Sequence, residues 1–328
     1  MEFLTDYGLF LTKTITLVVA IMIVAATLVV LASRDRSRSR EQLLVTRIND
    51  RYRRMERTLR HALLGRKAVL ADQKKEKRAR KRAKPGELPR VFVMRFLGDL
   101  RASRTESLRE EISAVLTMAR PEQDRVVVCV ESGGGLVHGY GLAASQLARL
   151  RERKIHLTVT VDKVAASGGY LMAAVADRIV AAPFAIVGSI GVVAQIPNFN
   201  RLLRRHDVDF ELLTAGQYKR TLTVFGENTD EGRRKFQQDL EATHTLFKDY
   251  VRRYRPSLDL DKVATGEHWY GEQALSLNLV DELVTSDDLL MKLSQDADVF
   301  EVDFRKKQPM GKRLTIALEN AVERVLRG

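Results

Sequence analysis

The sequence has a single cysteine, Cys129, among its 328 residues. One cysteine excludes an intrachain disulfide and any zinc site built from several thiolates. Cys129 lies in the apolar run from Val126 to Val130, which predicts a buried core strand and not an accessible thiol nucleophile. The sequence also lacks a His-Glu-x-x-His zinc motif and a phosphate loop that ends in Lys-Ser or Lys-Thr. We therefore expect no metal site, no ATPase activity and no cofactor.

Net positive charge is confined to one segment. The chain carries a net charge of +13, but residues 34–90 alone hold 21 Lys and Arg against 7 Asp and Glu, so the remainder is close to neutral. A nucleic-acid-binding domain needs clustered cations on its folded surface. The main part of the chain lacks such a cluster, which disfavours nucleic acid as a partner.

One long uncharged run lies near the N-terminus. Residues 14–32 are rich in Val, Ile, Leu and Ala, and the run is long enough to span a bilayer. Because Glu2 and Asp6 precede it and it exceeds a usual signal-peptide core, we interpret it as an uncleaved anchor and not as a cleaved signal. Only Lys13 precedes the run, whereas four arginines follow within residues 34–40. The positive-inside rule therefore predicts that the bulk of the chain faces the cytoplasm.

Changes in composition divide the chain into five parts. The parts are a short N-terminal segment (1–13), the anchor (14–32), a basic juxtamembrane arm or linker (33–88), a main domain (89–300) and an amphipathic basic C-terminal segment (301–328). Apolar residues recur in the arm at broadly helical spacing, which predicts a solvated helix whose cations attract anionic lipid headgroups. Pro85-Gly86 and Pro89 end the arm.

Strands and amphipathic helices alternate after Pro89. The predicted strands cover residues 91–96, 125–130, 156–161 and 178–181, and the predicted helices cover 105–118, 142–151, the stretch after Ser167, and 229–254. The last helix opens with Thr229 as its cap, and Pro256 follows its end. This alternation is typical of βαβ units around a mainly parallel sheet, so we expect an α/β fold.

Three glycine-containing loops follow predicted strands, at residues 131–135, 167–169 and 187–191. Ser167 comes between a β-branched strand and an alanine-rich helical stretch. Its hydroxyl would lie at the positive end of a helix dipole, beside free backbone N–H groups. That position suits a nucleophile. The alternative is a helix-capping serine whose neighbouring glycines merely permit close packing.

A serine nucleophile needs a base, because a free hydroxyl reacts weakly at neutral pH. Five histidines lie in the main domain without a recognisable triad motif, namely His138, His156, His206, His244 and His268. The other option is Lys219, between a turn glycine and an apolar segment. A lysine base must be neutral at the working pH and therefore desolvated. Spacing alone does not distinguish Lys219 from a solvated surface cation.

Five motifs occur in the order found in the signal peptide peptidase A family of membrane serine peptidases. They are Ser132-Gly-Gly-Gly135, Ala165-Ala-Ser-Gly-Gly-Tyr170, Val187-Gly-Ser-Ile-Gly191, Gly216-Gln-Tyr-Lys219 and Trp269-Tyr-Gly-Glu-Gln-Ala274. The chain resembles this family from residue 89 to residue 284, and the anchor followed by a basic arm is similar too. The resemblance implies a ClpP/crotonase-like core of repeated ββα units. It also implies a single-pass protein of a bacterial-type inner membrane that hydrolyses peptide bonds without ATP.

The resemblance assigns roles to individual residues. Ser167 would be the acylating nucleophile, Lys219 the general base, and Ser189 the residue that orients the lysine. Backbone N–H groups of Gly168 and of Gly134 or Gly135 would hold the oxyanion.

One position departs from the family pattern. Gly133 stands where the family usually has proline. The replacement loosens the loop that would supply one of the oxyanion donors. The nucleophile and the base are unaffected.

The resemblance further implies a homo-oligomer in which neighbouring protomers contribute the Ser and the Lys of one site, with peptide or protein substrates. Relatives commonly have their active sites outside the cytoplasm, against the direction of the flanking charges here, so both orientations stay open. Two other functions fit the same fold, a non-catalytic oligomeric membrane scaffold and a crotonase-type acyl-CoA enzyme. The joint presence of Ser167 and Lys219 argues against both.

Overall fold

The computed structural model describes residues 13–14, 16–17, 41–64 and 88–306. The chain divides into two compact units, Val45–Asp303 and a smaller one formed by Met1–Leu44 with Phe304–Gly328. The anchor predicted over 14–32 lies outside the described residues apart from 14, 16 and 17, and so does the C-terminal segment beyond 306. Within the described ranges, no helix combines the length and the apolar character that crossing a bilayer requires.

Strands and helices alternate along the larger unit, as the sequence predicts. The strands are β1 (Glu41–Arg47), β2 (Arg90–Leu97), β3 (Arg125–Glu131), β4 (His156–Val161), β5 (Val164–Ala166), β6 (Arg178–Ala181), β7 (Ile186–Gly188), β8 (His268–Tyr270), β9 (Glu282–Leu283) and β10 (Asp298–Lys306). The helices are α1 (48–64), α2 (Thr105–Leu116), α3 (Val137–Glu152), α4 (Gly168–Ala174), α5 (Asn200–Arg205), α6 (Asp230–Tyr254), α7 (Leu260–Val263), α8 (Gly271–Ser276) and α9 (Ser286–Asp296).

The larger sheet has the order β1-β10-β2-β3-β4-β6-β9, and its pairs from β10 to β9 are parallel. Successive side chains of β3 point to opposite faces. Val126, Val128 and Val130 therefore belong to the main core, while Val127 belongs to a second core on the other face. Burial on both faces explains why β3 reads as a continuous apolar run.

A second sheet of three strands, in the order β5-β7-β8, carries the glycine loops. Its pair β5·β7 is parallel and its pair β7·β8 antiparallel. Ser132, directly after β3, forms a parallel bridge with Ala165 of β5. The chain thus passes from the large sheet to the small one after β4 and again after β6, and after β3 it meets the small sheet through the single bridge of Ser132. This strand-strand arrangement gathers the loops at residues 132–135, 167–169 and 188–191 beside one another.

The described part of the basic arm matches the predicted solvated helix over residues 54–64, which are helical and all exposed, but differs from it before that. Residues 41–47 form strand β1, and α1 begins with Ile48, which is 5% exposed. The side chain of Asn49 donates to the carbonyls of Ser294 and Ala297, both at 2.9 Å, and accepts from the Val299 N–H at 2.8 Å. Residues 45–64 therefore belong to the same compact unit as the main domain. Their partners lie so far away in sequence that local periodicity could not reveal the packing.

Candidate active site

Ser167 lies between β5 and α4 in an unusual backbone conformation, with φ 51° and ψ −118°. A non-glycine residue with positive φ is strained and persists only where its surroundings hold it. Here the Ser167 N–H donates to the Gly188 carbonyl at 2.8 Å, and the Leu171 N–H donates to the Ser167 carbonyl at 2.9 Å. Ser167 is the N-cap residue of α4, but its side chain makes no capping hydrogen bond. The hydroxyl is therefore left for another role.

Ser189 lies beside Ser167 because of the strand register. Ala166 of β5 is the partner of Gly188 of β7 in a parallel pair. The two serines follow at the same level on adjacent strands, which are about 4.8 Å apart. Ser189 also has a positive φ, 52°, and its N–H donates to the Glu267 carbonyl at 2.6 Å. The structure thus brings two of the predicted site residues together.

The loop of three glycines touches the Ser167 turn directly. A Cβ on Gly134 would lie 2.8 Å from both the Gly168 nitrogen and the Ser167 Cβ, and Gly134 has a φ of 90°, so only glycine fits there. The Gly134 N–H donates to Ser132 Oγ at 3.1 Å. Of the two N–H groups in this loop that were predicted to hold the oxyanion, that of Gly134 is therefore already hydrogen-bonded. This favours Gly135 as the oxyanion donor. The Gly168 N–H is the first of helix α4 and has no intrahelical acceptor.

A cavity with a volume of 1010 Å³ opens in front of Ser167. Ser167, Ser189 and the glycine loop form one side of it. Helices α3, α4 and α6 supply a largely apolar wall that includes Leu136, Val137, Leu171, Leu246, Phe247 and Tyr250. A cavity of this size and character suits side chains of an extended ligand.

Two histidines line the same cavity, His138 on α3 and His244 on α6. His244 Nε2 lies 3.2 Å from the Ile190 carbonyl, which ties α6 to the loop that carries Ser189. In the part of the chain that the structure describes, neither histidine is hydrogen-bonded to Ser167. The sequence offered no signal for their position, because α3 and α6 reach the cavity only through packing.

Lys219 does not line this cavity, and it is exposed. Its segment lies against the other end of α6, where a Cβ on Gly232 would be 2.3 Å from the Thr221 carbonyl oxygen. From Gly232 to His244, which lines the cavity, the helix rises about 18 Å. Within one chain the structure therefore places the neighbours of Lys219 beside the end of α6 that does not line the Ser167 cavity.

The segment that carries Lys219, residues 192–228, exposes many large apolar side chains. Leu213 is 90% exposed and Val193 82% exposed. Others in the segment are Ile196, Phe199, Leu202, Val208, Phe210, Leu212, Tyr218 and Phe225. Exposed apolar side chains that form a patch are typical of interaction surfaces.

The single cysteine has the structural role that the sequence predicts. Cys129 lies on β3 and packs against the second core. Burial raises the pKa of its thiol, which disfavours a thiolate nucleophile. Among the described residues, no group of three or more His, Cys, Asp and Glu side chains is arranged to hold a metal ion.

Two profiles of one protein family, and several known proteins, match this sequence over most of its length. Residues 2–147 match the profile "Peptidase family S49 N-terminal", and residues 149–300 match "Peptidase family S49". "Probable protease SohB" of Haemophilus influenzae is 47% identical over 326 residues, which cover 95% of this chain and 92% of that protein. "Probable protease SohB" of Buchnera aphidicola subsp. Acyrthosiphon pisum is 52% identical over 237 residues, or 72% of this chain and 70% of that one.

A solved structure also aligns with the chain. It is a mutant of 1510-N, a membrane-bound stomatin-specific protease, in complex with a substrate peptide. The alignment covers 63% of this chain and 80% of that chain, with a TM-score of 0.37 and 13% sequence identity. The family profiles and the full-length relatives confirm the membership that the five motifs predict. The chain belongs to peptidase family S49, on its SohB branch, and is a serine-type peptidase.

Proposed function

We propose that this chain is a membrane-anchored, ATP-independent endopeptidase that acts through an acyl-enzyme on Ser167, with Lys219 of a neighbouring protomer as the base. The observation that carries the proposal is the placement of the two residues. Ser167 occupies a strained turn at a cavity with backbone N–H groups beside it, whereas Lys219 is exposed and does not line that cavity.

The chemistry follows from this arrangement. The Lys219 amine takes the proton of Ser167 as Oγ attacks the carbonyl carbon of the scissile bond. The developing oxyanion receives hydrogen bonds from the N–H groups of Gly168 and Gly135. The lysine ammonium then gives its proton to the leaving amine, and a water molecule activated by the same lysine hydrolyses the acyl-enzyme. Ser189, beside Ser167, accepts a hydrogen bond from the lysine and orients it.

Assembly would also activate the base. An exposed lysine amine is stabilised by water in its charged form, and burial disfavours that form. The exposed apolar segment around Lys219 offers a surface for a second copy of the chain, and docking would carry the amine into the neighbour's cavity. A homo-oligomer with shared sites therefore supplies both proximity and desolvation, and an isolated protomer would be inactive.

The remaining parts of the proposal concern architecture and location. The repeated strand-strand-helix units support a ClpP/crotonase-like core. The uncharged run at residues 14–32 would be a single-pass anchor in a bacterial inner membrane, and its flanking charges favour a cytoplasmic peptidase unit. The division into anchor, arm, peptidase domain and C-terminal segment remains our proposal, with residues 45–64 counted with the peptidase unit.

A serine-directed fluorophosphonate on the purified full-length protein tests the nucleophile. Mass spectrometry is expected to find the label on Ser167, and Ser167→Ala is expected to abolish both labelling and peptide hydrolysis. Ser145→Ala is a matched control, because Ser145 lines the same cavity but bonds to the Gly141 carbonyl. Lys219→Ala is expected to abolish hydrolysis while leaving the oligomer intact.

Labelling at another residue, or full hydrolysis by Ser167→Ala, would reject the proposed nucleophile. An intact oligomer with neither labelling nor hydrolysis would favour the alternative, a non-catalytic membrane scaffold of the same fold.

A further inference from the structure

A buried chain of hydrogen bonds runs from the glycine loop to the end of β2. The Gly134 N–H donates to Ser132 Oγ at 3.1 Å, and Ser132 Oγ lies 2.5 Å from the Tyr140 hydroxyl. The Tyr140 hydroxyl donates to the Asp99 carbonyl at 2.8 Å. Since that bond uses the only tyrosine proton, Ser132 is the donor to Tyr140. Ser132 is 2% exposed and Tyr140 0%.

Three glycines, one after β2 and two at the start of α4, leave the space that the Ser132 and Tyr140 side chains occupy. A Cβ on Gly98, after β2, would lie 2.3 Å from Ser132 Oγ and 2.5 Å from the Tyr140 hydroxyl. A Cβ on Gly168 would lie 2.4 Å from Tyr140 Cγ, and one on Gly169 would lie 2.6 Å from the Ser132 carbonyl oxygen. The pair thus touches the end of β2 and both first residues of α4.

We propose that Ser132 and Tyr140 are positioning residues that hold the glycine loop in register with the Ser167 turn. This inference rests on the proposed function, because it concerns the donors of the same site. Three consecutive glycines have unusual conformational freedom, so the loop needs an external restraint to present an N–H at a defined point. The hydrogen-bond chain fixes Gly134 and thereby aims the next N–H, that of Gly135, toward the oxyanion position.

The kinetic consequence follows from the sensitivity of catalysis to donor position. Loss of one oxyanion donor or a displacement of about 1 Å lowers turnover by roughly 100-fold or more. Tyr140→Phe removes the hydroxyl but keeps the ring that packs on Gly168, so the loop loosens and does not collapse. We expect kcat to fall roughly 10-fold to 100-fold with KM changed less than about twofold.

Tyr170→Phe is the matched control. Tyr170 is also 0% exposed, and its hydroxyl donates to the Leu279 carbonyl at 2.9 Å, outside the glycine loop. Tyr140→Phe loses its bond to the Asp99 carbonyl and the bond from Ser132, whereas Tyr170→Phe loses one bond to a backbone carbonyl. Both are expected to lower the urea unfolding midpoint, Tyr140→Phe by more. Only Tyr140→Phe is expected to lose turnover of an internally quenched peptide and to slow fluorophosphonate labelling of Ser167.

Ser132→Ala provides a second, independent test of the hydrogen-bond chain. It is expected to lower kcat at least as much as Tyr140→Phe. The kcat of the Ser132→Ala/Tyr140→Phe double variant is expected to equal that of Ser132→Ala, because both substitutions break the same chain of hydrogen bonds.

The results separate this inference from the proposed function. Equal turnover in Tyr140→Phe and Tyr170→Phe, in a protein that Ser167→Ala inactivates, would overturn the positioning role and leave the nucleophile standing. Additive losses in the double variant would overturn it as well. Full activity of Ser167→Ala would reject the nucleophile and the positioning role together.

Discussion

Mixed oligomers of Ser167→Ala and Lys219→Ala protomers are expected to hydrolyse peptides although each variant alone is inactive. The reason is that Lys219 does not line the cavity of its own chain that Ser167 lines. Within one chain, α6 rises about 18 Å between the end that contacts the Lys219 segment and the part that lines the Ser167 cavity. If a neighbour supplies the lysine, a Lys219→Ala protomer can still offer its serine to an adjoining Ser167→Ala protomer.

The size of the rescue follows from the geometry of a shared site. In a head-to-tail ring each site draws on two protomers. In an equal, random mixture half of the serine donors and half of the lysine donors are intact, so about one quarter of the sites are complete. The expected activity is therefore about one quarter of the wild-type value per site.

The assay needs co-expressed variants with different affinity tags, tandem purification of mixed oligomers and an internally quenched peptide. A second mixture, of wild type with the Ser167→Ala/Lys219→Ala double variant, is the control. Shared sites predict about one quarter of wild-type activity for an equal mixture, whereas sites within one chain predict about one half. Inactive mixed oligomers, together with the value of one half in the control, would falsify the shared site and require the Lys219 segment to move within its own chain.

Three further variants test other parts of the structure. Gly168→Ala places a Cβ 2.4 Å from Tyr140 Cγ. We expect the free energy of unfolding in urea to fall by about 1–3 kcal/mol and turnover to be unmeasurable. A stable, active variant would contradict the close packing of Gly168 on Tyr140. Ser189→Ala is expected to lower kcat with KM little changed, and an unchanged kcat would remove Ser189 from the mechanism. Burial raises the pKa of Asp124, but hydrogen bonds from two arginines and two backbone N–H groups outweigh it and hold that pKa well below its usual value. This stabilisation is complete above about pH 5 and is lost progressively as pH falls further. Asp124→Asn should therefore lower the unfolding free energy by about 3 kcal/mol at neutral pH and by less at acid pH. Equal losses at both pH values would contradict the stabilising role of the Asp124 carboxylate.

Local features of the sequence were sufficient for most elements of the peptidase unit. The β-branched run at His156–Val161 and the short run at Arg178–Ala181 are strands with the predicted bounds. Thr229 caps α6 by accepting from the Gly232 N–H at 3.1 Å, as its position before an acidic first turn predicts. These features depend on neighbours within one or two turns, so a linear pattern contains them.

Other features depend on residues that are distant in sequence. Asn49 reads as part of a solvated basic helix, yet its side chain fastens α1 to the end of α9 and to β10. Tyr140 precedes the helix predicted over 142–151, yet it lies within α3, and its hydroxyl bonds to Ser132 and to the Asp99 carbonyl after β2. No periodicity encodes these partners, because strand order and helix packing bring them together only after the chain folds.

Ser167 shows where the two kinds of information meet. The strand, the glycines and the alanine-rich stretch around it determine, from the sequence alone, a hydroxyl at the start of a helix, and the order of five motifs determines the family. Only the tertiary structure decided the positive φ of Ser167, its alignment with Ser189 across β5 and β7, and the absence of Lys219 from the cavity lining among the described residues. Local backbone preference depends on each residue and its neighbours in sequence. Strand register and the relative positions of distant side chains depend on how distant segments pack.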